Sequence, residues 1–552
     1  MPSPFDAAIA LAKKAQAPSA APRQRANSPK DLIVRGLGFE IDPEQQAIAQ
    51  SKGPLVVGKA YAGTGKTTTA RAHAYLRPDD RILYLPFGSA NAAEARRLFP
   101  KNVECRTTHS LAYLSMPQSV KDRVPVPGRE QGSGNASGAA APMHTQFRAL
   151  DISKTFGVPY RVAAIAYAGL SSFFYSEDDQ APGAKHVASI DPKLNPSEHE
   201  KEHALLVMQA AWKRMLDRND TFPIPHDAYL KMYANAKPFL DYDWIYLDEA
   251  QDINPVTMSI ILRQKKARLL VIGDEHQSIY AFRNAKNVIP RFLANPICQE
   301  FHLTHSRRFG PKTAQLANAI LREFKGDPSQ IKGVGKDGVF DDSKQVAFLS
   351  RTNARLIQMA ADKHGAGIHW LGGLHRYALD EAVDAHALYK GRMRDIKSPF
   401  LRRFLAWDDL VHYSEQTKDK DAASLVRLID AHKDNIPEII EAIKKNEVKD
   451  RGDAERILTT MHFAKGLEFG QVEMDDKFEW VEDARDEIEE RGHLSASTVQ
   501  DVNLAYVGVT RAKSAVKLGG EMLAWAQERE LPWAEGEAQA EGAVTAVRSR
   551  AA

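Results

Sequence analysis

VGKAYAGTGKTTT, residues 57–69, follows the apolar run Leu55-Val56 and leads into a helix-prone segment. A buried strand, a glycine turn and a Lys-Thr pair opening a helix make a phosphate cradle. The glycines let backbone N–H groups wrap a phosphate at the helix N-terminus, the lysine supplies a point charge, and the threonine hydroxyl can ligate Mg²⁺. Ala60 stands where the first glycine of this pattern usually sits, but Gly63-x-Gly65-Lys66-Thr67 is intact. With glycine at about 7% of residues, such a string arises by accident on the order of 0.02 times in a chain this long. The expected nucleotide contacts are therefore Ala62, Gly63, Thr64, Gly65, Lys66, Thr67 and Thr68.

A second half-site lies far downstream in IYLDEAQD, 245–252, where acids appear as an apolar run ends. An aspartate there can share Mg²⁺ with Thr67, and its neighbour can orient or deprotonate the attacking water, so Asp248 is the expected metal ligand and Glu249 the expected base. Two acids after a strand also serve as a common helix N-cap. Their pairing with a phosphate loop on one chain favours the catalytic reading, and to this point the residues describe an NTPase.

The 552-residue chain is long enough for two to four domains. Its composition, 43% hydrophobic and 26% charged, is that of a globular protein, and no run approaches the ~18 apolar residues of a membrane span. Two cysteines, Cys105 and Cys298, cannot build a disulfide framework or a thiolate metal cluster, which points to a reducing compartment. A net charge of +3 leaves a polyanion to be held by local basic surfaces.

Residues 1–36 read as a basic Ala/Pro-rich tail; a transit peptide would suit its scarcity of acids, but no cleavage site is clear. Residues 129–142 read as a flexible excursion, and the C-terminal end as an Ala/Glu/Gly-rich tail. Between them, continuous apolar runs at 82–85, 244–247, 269–272, 346–349 and 515–518 have the length and character of parallel strands buried on both faces. They alternate with helical stretches, so the fold class is α/β, with mainly helical insertions at 113–235 and 370–455.

The strings VIGDEHQSIYAFRNA (271–285), TTMHFAKGLEF (459–469) and NLAYVGVTRAK (503–513) join the DEAQD string in an ordered series. In this order they resemble motifs II, III, V and VI of superfamily 1 DNA helicases of the UvrD/PcrA/Rep type. CRTTHSLAY (105–113), LSRTN (349–353) and the small second insertion are closer still to the helicase core of eukaryotic F-box DNA helicases. The resemblance spans about 37–522. It implies two RecA-like parallel-sheet domains: 37–112 with 236–300, carrying insertion 113–235, and 301–369 with 456–525, carrying insertion 370–455; residues 526–552 then form the tail.

Carried onto this chain, the resemblance makes Gln45 the adenine-reading glutamine and Gln277 the γ-phosphate sensor. Arg308 and Arg511 become arginine fingers, Glu468 a nucleotide contact, and Phe87, His109, Tyr280, Phe282, Arg283, Thr460 and His462 contacts to single-stranded DNA. An arginine finger contributes roughly 10³ to 10⁵ in rate, about 4 to 7 kcal/mol, so hydrolysis is expected to require closure of the two domains. Stacked aromatics hold each base by about 1–3 kcal/mol whatever its identity, and opening a base-pair step costs ~1.4 kcal/mol, within reach of a stepping motor.

The implied cofactors are ATP and Mg²⁺. The implied partners are single-stranded DNA, single/double-strand junctions and a recombinase or repair protein, with no membrane and a monomeric chain. The implied direction is 3′ to 5′, and the setting is a bacterial-type cytosol or nucleoid, or the nucleus of a eukaryote. A DNA-stimulated remodeller of protein–DNA filaments and a P-loop small-molecule kinase are the alternatives; the kinase leaves the later motifs unexplained.

Several positions depart from the resemblance. Arg307 stands where an aromatic usually stacks on adenine, and a guanidinium plane can do the same with altered nucleotide selectivity. Gly88-Ser89-Ala90-Asn91 lacks a usual Asn-Lys pair, Asn284 replaces a glycine and Thr108 an aromatic, all of which point to a weaker grip on the strand. The run 390–404 is basic and interleaved with aromatics, a pattern that fits either duplex phosphates or a solvated helix face. Roughly 30 residues beyond the last core strand are too few for a fused nuclease domain.

Overall fold

A computed structural model describes residues 40–125 and 147–533, apart from 178, 189, 191–195, 281–286, 329, 363–366, 378, 399 and 418–419. The N-terminal tail, the 129–142 excursion, Phe282, Arg283 and Asn284 lie outside the described residues. The chain forms two compact units. Of the described residues, the first holds 40–59, Lys66–Gly273 and Tyr280–His302; the second holds Ala60–Gly65, Asp274–Ile279 and 303–533.

The first unit is built on β1 (Leu55–Ala60), β2 (Ile82–Leu85), β3 (Val103–Cys105), β4 (Trp244–Leu247), β5 (Arg268–Gly273) and β6 (Cys298–Leu303), in the order β3-β2-β4-β5-β1-β6. Neighbours from β3 through β1 pair in parallel. Every residue of β2 and β4 is buried, as continuous apolar runs in a doubly covered sheet require. Helices Tyr160–Tyr175, Glu198–Leu216 and His226–Asn235 fill the long insertion and share one apolar core with the sheet.

The second unit contains the short pair β7 (His305–Ser306) and β8 (Lys332–Gly333) and a five-stranded sheet. That sheet runs β10-β11-β9-β12-β13, from β9 (Val346–Ser350), β10 (Ile368–Trp370), β11 (Arg456–Thr460), β12 (Phe469–Met474) and β13 (Ala512–Lys517), every pairing parallel. Helix Ile436–Lys445 has Pro437 in its first turn and buries Ile436, Ile440 and Ile443, one stripe at helical spacing.

Three sequence expectations shift. Trp370 ends an edge strand rather than opening the helical insertion, and β13 starts at Ala512 and leaves Leu518 outside. Helix Gly520–Glu528 carries order past residue 525. Both cysteine thiols are pushed up by burial, Cys105 to about 12 and Cys298 to about 11, as befits small packed hydrophobes rather than reactive groups.

Candidate nucleotide and strand site

In the first unit the candidate residues sit on connections leaving the carboxyl ends of parallel strands, where open α/β sheets bind ligands. Lys66 and Thr67 open helix Lys66–Tyr75 after β1, Phe87 follows β2, His109 follows β3, and Asp248 and Glu249 follow β4. Thr67 Oγ1 donates to Asp248 Oδ2 at 3.3 Å, and Lys66 Nζ lies 3.4 Å from Glu249 Oε1. Thr68 is half-buried in the same first helical turn.

Asp248 is buried and also accepts from Tyr84 Oη and from the Glu249 amide. Burial, then the adjacent Glu249 charge, holds its carboxyl above the usual range, with Lys66 opposing. A cation would relieve that cost, so a hydroxyl and a buried carboxylate in hydrogen-bond contact fit Mg²⁺, which takes few protein ligands and keeps water and phosphate oxygens. Among the described residues no cluster of three or more His, Cys, Asp or Glu gathers into an all-protein metal cage. Glu249 has left-handed backbone, φ 51° and ψ 46°, a conformation that costs a non-glycine residue about 1–3 kcal/mol and tends to occur at functional sites.

Gln45 is buried near the start of helix Pro43–Gln50, where its side-chain oxygen accepts from Asp42 N at 3.1 Å while Asp42 Oδ1 accepts from Gln45 N at 2.9 Å. This capping box fixes the amide's position and commits its oxygen to the helix end.

The second unit gathers the remaining nucleotide candidates. Gly63 and Gly65 have φ of 74° and 79°, which a side chain resists. A Cβ on Gly63 would lie 2.5 Å from Ser306 Oγ and 2.7 Å from Arg308 Cβ. Gly63 O accepts from the Arg307 amide at 3.0 Å, and Thr64 Oγ1 donates to Tyr61 O at 2.8 Å, so the turn is held in shape. The Arg307 side chain is exposed.

Arg308 donates to Glu468 Oε2 at 3.2 Å and to Thr510 O at 3.1 Å, while Lys513 Nζ lies 2.6 Å from Glu468 Oε1. Arg511 is 1% exposed and donates to Val507 O, Leu467 O, Thr510 Oγ1 and, at 3.4 Å, Gln277 Oε1. Gln277 and Arg511 are thus joined directly.

A set of residues that sequence reasoning missed surrounds Gln277. Tyr506 Oη accepts from Ala62 N at 3.0 Å and donates to Asp274 Oδ2 at 3.1 Å, and Gln277 Nε2 donates to the same oxygen at 2.7 Å. Tyr61 Oη donates to Asp327 Oδ2 at 2.7 Å, His276 Nε2 meets that oxygen at 2.7 Å, and the two rings stack. Tyr506 lay in a quoted motif; Asp327 carried no sequence signal, standing 266 residues from Tyr61.

The strand candidates divide between the units. In the first, Phe87, 40% exposed, stacks on Tyr280 with centroids 5.1 Å apart and planes 12° from parallel. Phe87 also lines a groove of about 710 Å³ with His109, Tyr167, Tyr175, His226 and Asp227. His109 Nε2 meets Asp227 Oδ1 at 3.1 Å and Tyr175 Oη donates to Asp227 Oδ2 at 2.7 Å. In the second unit, Thr460 caps helix Met461–Ala464 by accepting from Phe463 N at 3.2 Å, so its oxygen has a structural task, and His462 is half-buried in that turn. Phe463, another residue missed, is 40% exposed with the Arg376 guanidinium 4.6 Å from its ring centre.

Comparison with known proteins gives a consistent picture. Residues 44–283 match the AAA domain family. The chain is similar to F-box DNA helicase 1 of Gallus gallus, 30% identical over 517 residues, covering 86% of this chain and 48% of that protein. It is also similar to F-box DNA helicase protein 1 of Schizosaccharomyces pombe, 29% identical over 518 residues, covering 86% of this chain and 57% of that one. The chain thus spans about half the length of the relatives it matches, and its phosphate loop lies within the residues that match the AAA domain family.

Proposed function

We propose that this chain is an ATP-driven motor on single-stranded DNA that moves 3′ to 5′ and separates duplexes, in repair or in control of recombination. The observation that carries the reading is the coincidence, on one set of strand ends, of a phosphate-loop Lys-Thr pair beside Asp248 and Glu249 with the stacked Phe87–Tyr280 pair and its groove. The first set of groups handles a nucleoside triphosphate and the second handles unpaired bases. The relatives' names as DNA helicases support DNA as the polymer, and the direction follows the motif resemblance.

In this reading Lys66 and the amides after Gly63 hold the phosphates, and Thr67 and Asp248 are the residues that would hold Mg²⁺, whose charge would offset that of the phosphates. Glu249 takes the proton of a water attacking the γ-phosphorus as the bond to the β-bridging oxygen breaks, releasing ADP and phosphate. Gln277 orients around the γ-phosphate, while Arg308 and Arg511 offset the charge that develops. Because Gln277 bonds to both Arg511 and Asp274, a change at the γ-phosphate is passed into the second unit's own hydrogen-bond network.

A second reading, remodelling of protein–DNA filaments with little unwinding, is favoured by the weakened strand motifs at Gly88–Asn91 and Thr108. ATP turnover with and without single-stranded DNA tests the motor. Strand displacement on substrates with 3′ or 5′ overhangs then separates the two readings: displacement from a 3′ overhang supports the first, and DNA-stimulated turnover without displacement supports the second. Turnover indifferent to DNA contradicts both.

A further inference from the structure

Helix Pro311–Lys325 of the second unit closes on Gly326, whose φ of 61° and ψ of 21° make the left-handed cap that glycine adopts without strain. The amides of Gly326 and Asp327 both donate to Leu321 O, the second at 3.2 Å. This cap fixes the places from which Lys325 and Asp327 extend their side chains. Asp327 reaches the 3₁₀ turn Glu275–Gln277 directly, and Lys325 reaches its far end through Asn503.

Asp327 Oδ2 accepts from Tyr61 Oη and lies 2.7 Å from His276 Nε2, and the Tyr61 and His276 rings stack with planes 2° apart. Lys325 Nζ donates to Asn503 Oδ1 at 3.2 Å, and Asn503 Nδ2 donates in turn to Ser278 O at 2.8 Å. His276 and Ser278 are the chain neighbours of Gln277. One helix end therefore holds both sides of Gln277, while the Gln277 side chain meets Asp274 and Arg511.

Neither Lys325 nor Asp327 falls within the strings quoted from the sequence. Lys325 is half-buried, and burial lowers its ammonium pKa by more than the Glu275 and Asp274 carboxylates raise it. Apolar side chains would join a helix end to a turn at a smaller desolvation cost. Hydrogen bonds, being directional, join the two in one position.

We propose that Asp327 and Lys325 are positioning residues for ATP hydrolysis: from one helix end they hold His276 and Ser278, and through them they set the place of the Gln277 side chain at the γ-phosphate. This rests on the nucleotide reading above. Asp327 also takes the Tyr61 hydroxyl, so the phosphate loop and the Gln277 turn are referred to one carboxylate oxygen. The loop's own bonds, Thr64 Oγ1 to Tyr61 O and the Arg307 amide to Gly63 O, do not pass through Asp327. Nucleotide binding is left to them, and Asp327 acts on the chemical step.

The test uses the full chain with saturating single-stranded DNA and reads kcat and KM for ATP, with the melting temperature alongside. Asp327→Ala should lower kcat by about 10²-fold, the cost of a small misplacement at a reacting centre, and leave KM for ATP unchanged. Asp327→Asn keeps an acceptor oxygen for Tyr61 and His276 and should recover most of that loss. Tyr61→Phe should lower kcat on its own and add nothing to Asp327→Ala, because both changes break the same bond. Lys325→Met should lower kcat in the same way through Ser278. Glu323, two residues from Lys325 and so on the opposite side of the helix, meets Arg529 and Trp525; Glu323→Gln should lower the melting temperature and keep kcat. Should Asp327→Ala fail to fold, Tyr61→Phe and Lys325→Met decide in its place. Intact kcat in the folded variants, a change confined to KM, or an equal fall in kcat for Glu323→Gln overturns the proposal while leaving the nucleotide reading standing. Absence of turnover in the unaltered chain overturns both.

Discussion

Glu249 combines a left-handed backbone with a carboxylate 3.4 Å from the phosphate-loop lysine. Glu249→Ala and Glu249→Gly both remove that carboxylate, but only glycine is at ease with φ 51°. Both variants should lose about 10² to 10⁴ in ATP turnover, the usual contribution of a general base, and the glycine variant should be the more stable by about 1 kcal/mol in chemical denaturation. Equal stabilities would mean that the conformation carries no strain.

Tyr506 offers a second test at this scale. Its hydroxyl is the shared partner of Ala62 N and Asp274, so Tyr506→Phe leaves a buried amide without that acceptor and should cost about 1–3 kcal/mol. Turnover should fall with it as Gln277 loses its reference point, and a variant of unchanged stability would exclude the bond.

At the scale of elements, the groove of the first unit depends on helix His226–Asn235 presenting Asp227 to His109 and Tyr175. Burial alone would raise the Asp227 carboxyl, but hydrogen bonds from His109 and Tyr175 outweigh it and hold it below the usual range. A carboxyl lowered in the folded state stabilises it fully above the unfolded value of about 3.9, and that contribution fades as pH falls through the lower folded value. Asp227→Asn should therefore lower the melting temperature at pH 7, with the difference from the unaltered chain shrinking as pH drops below about 4. A difference independent of pH would assign the loss to shape rather than charge.

Elements also differed in how plainly the sequence announced them. Trp244–Leu247 and residues 346–349 are unbroken apolar runs, and both are buried throughout. Val103–Cys105 and Ile368–Trp370 are three residues long, too short for a period, and the edge strand Cys298–Leu303 is half polar because water covers part of it. The phosphate loop and the Asp248–Glu249 pair could be read because each is local in sequence. The Tyr61–His276–Asp327 cluster and the capping task of Gln45 could not, since each depends on which partner the fold delivers.

At the scale of the whole molecule, the phosphate loop and sensor segments, Ala60–Gly65 and Asp274–Ile279, are grouped with the arginines Arg308 and Arg511, while Lys66, Asp248 and Glu249 belong to the other unit. The central claim of the proposed motor reading is that hydrolysis needs Lys66, Asp248 and Glu249 together with Arg308 and Arg511.

Arg308 tests that claim most directly, being partly accessible where Arg511 is enclosed. ATP turnover of the unaltered chain and of Arg308→Ala, each with saturating single-stranded DNA and with nucleotide affinity measured in parallel, should differ by about 10³ at similar affinity. Undiminished turnover in the variant would contradict the account.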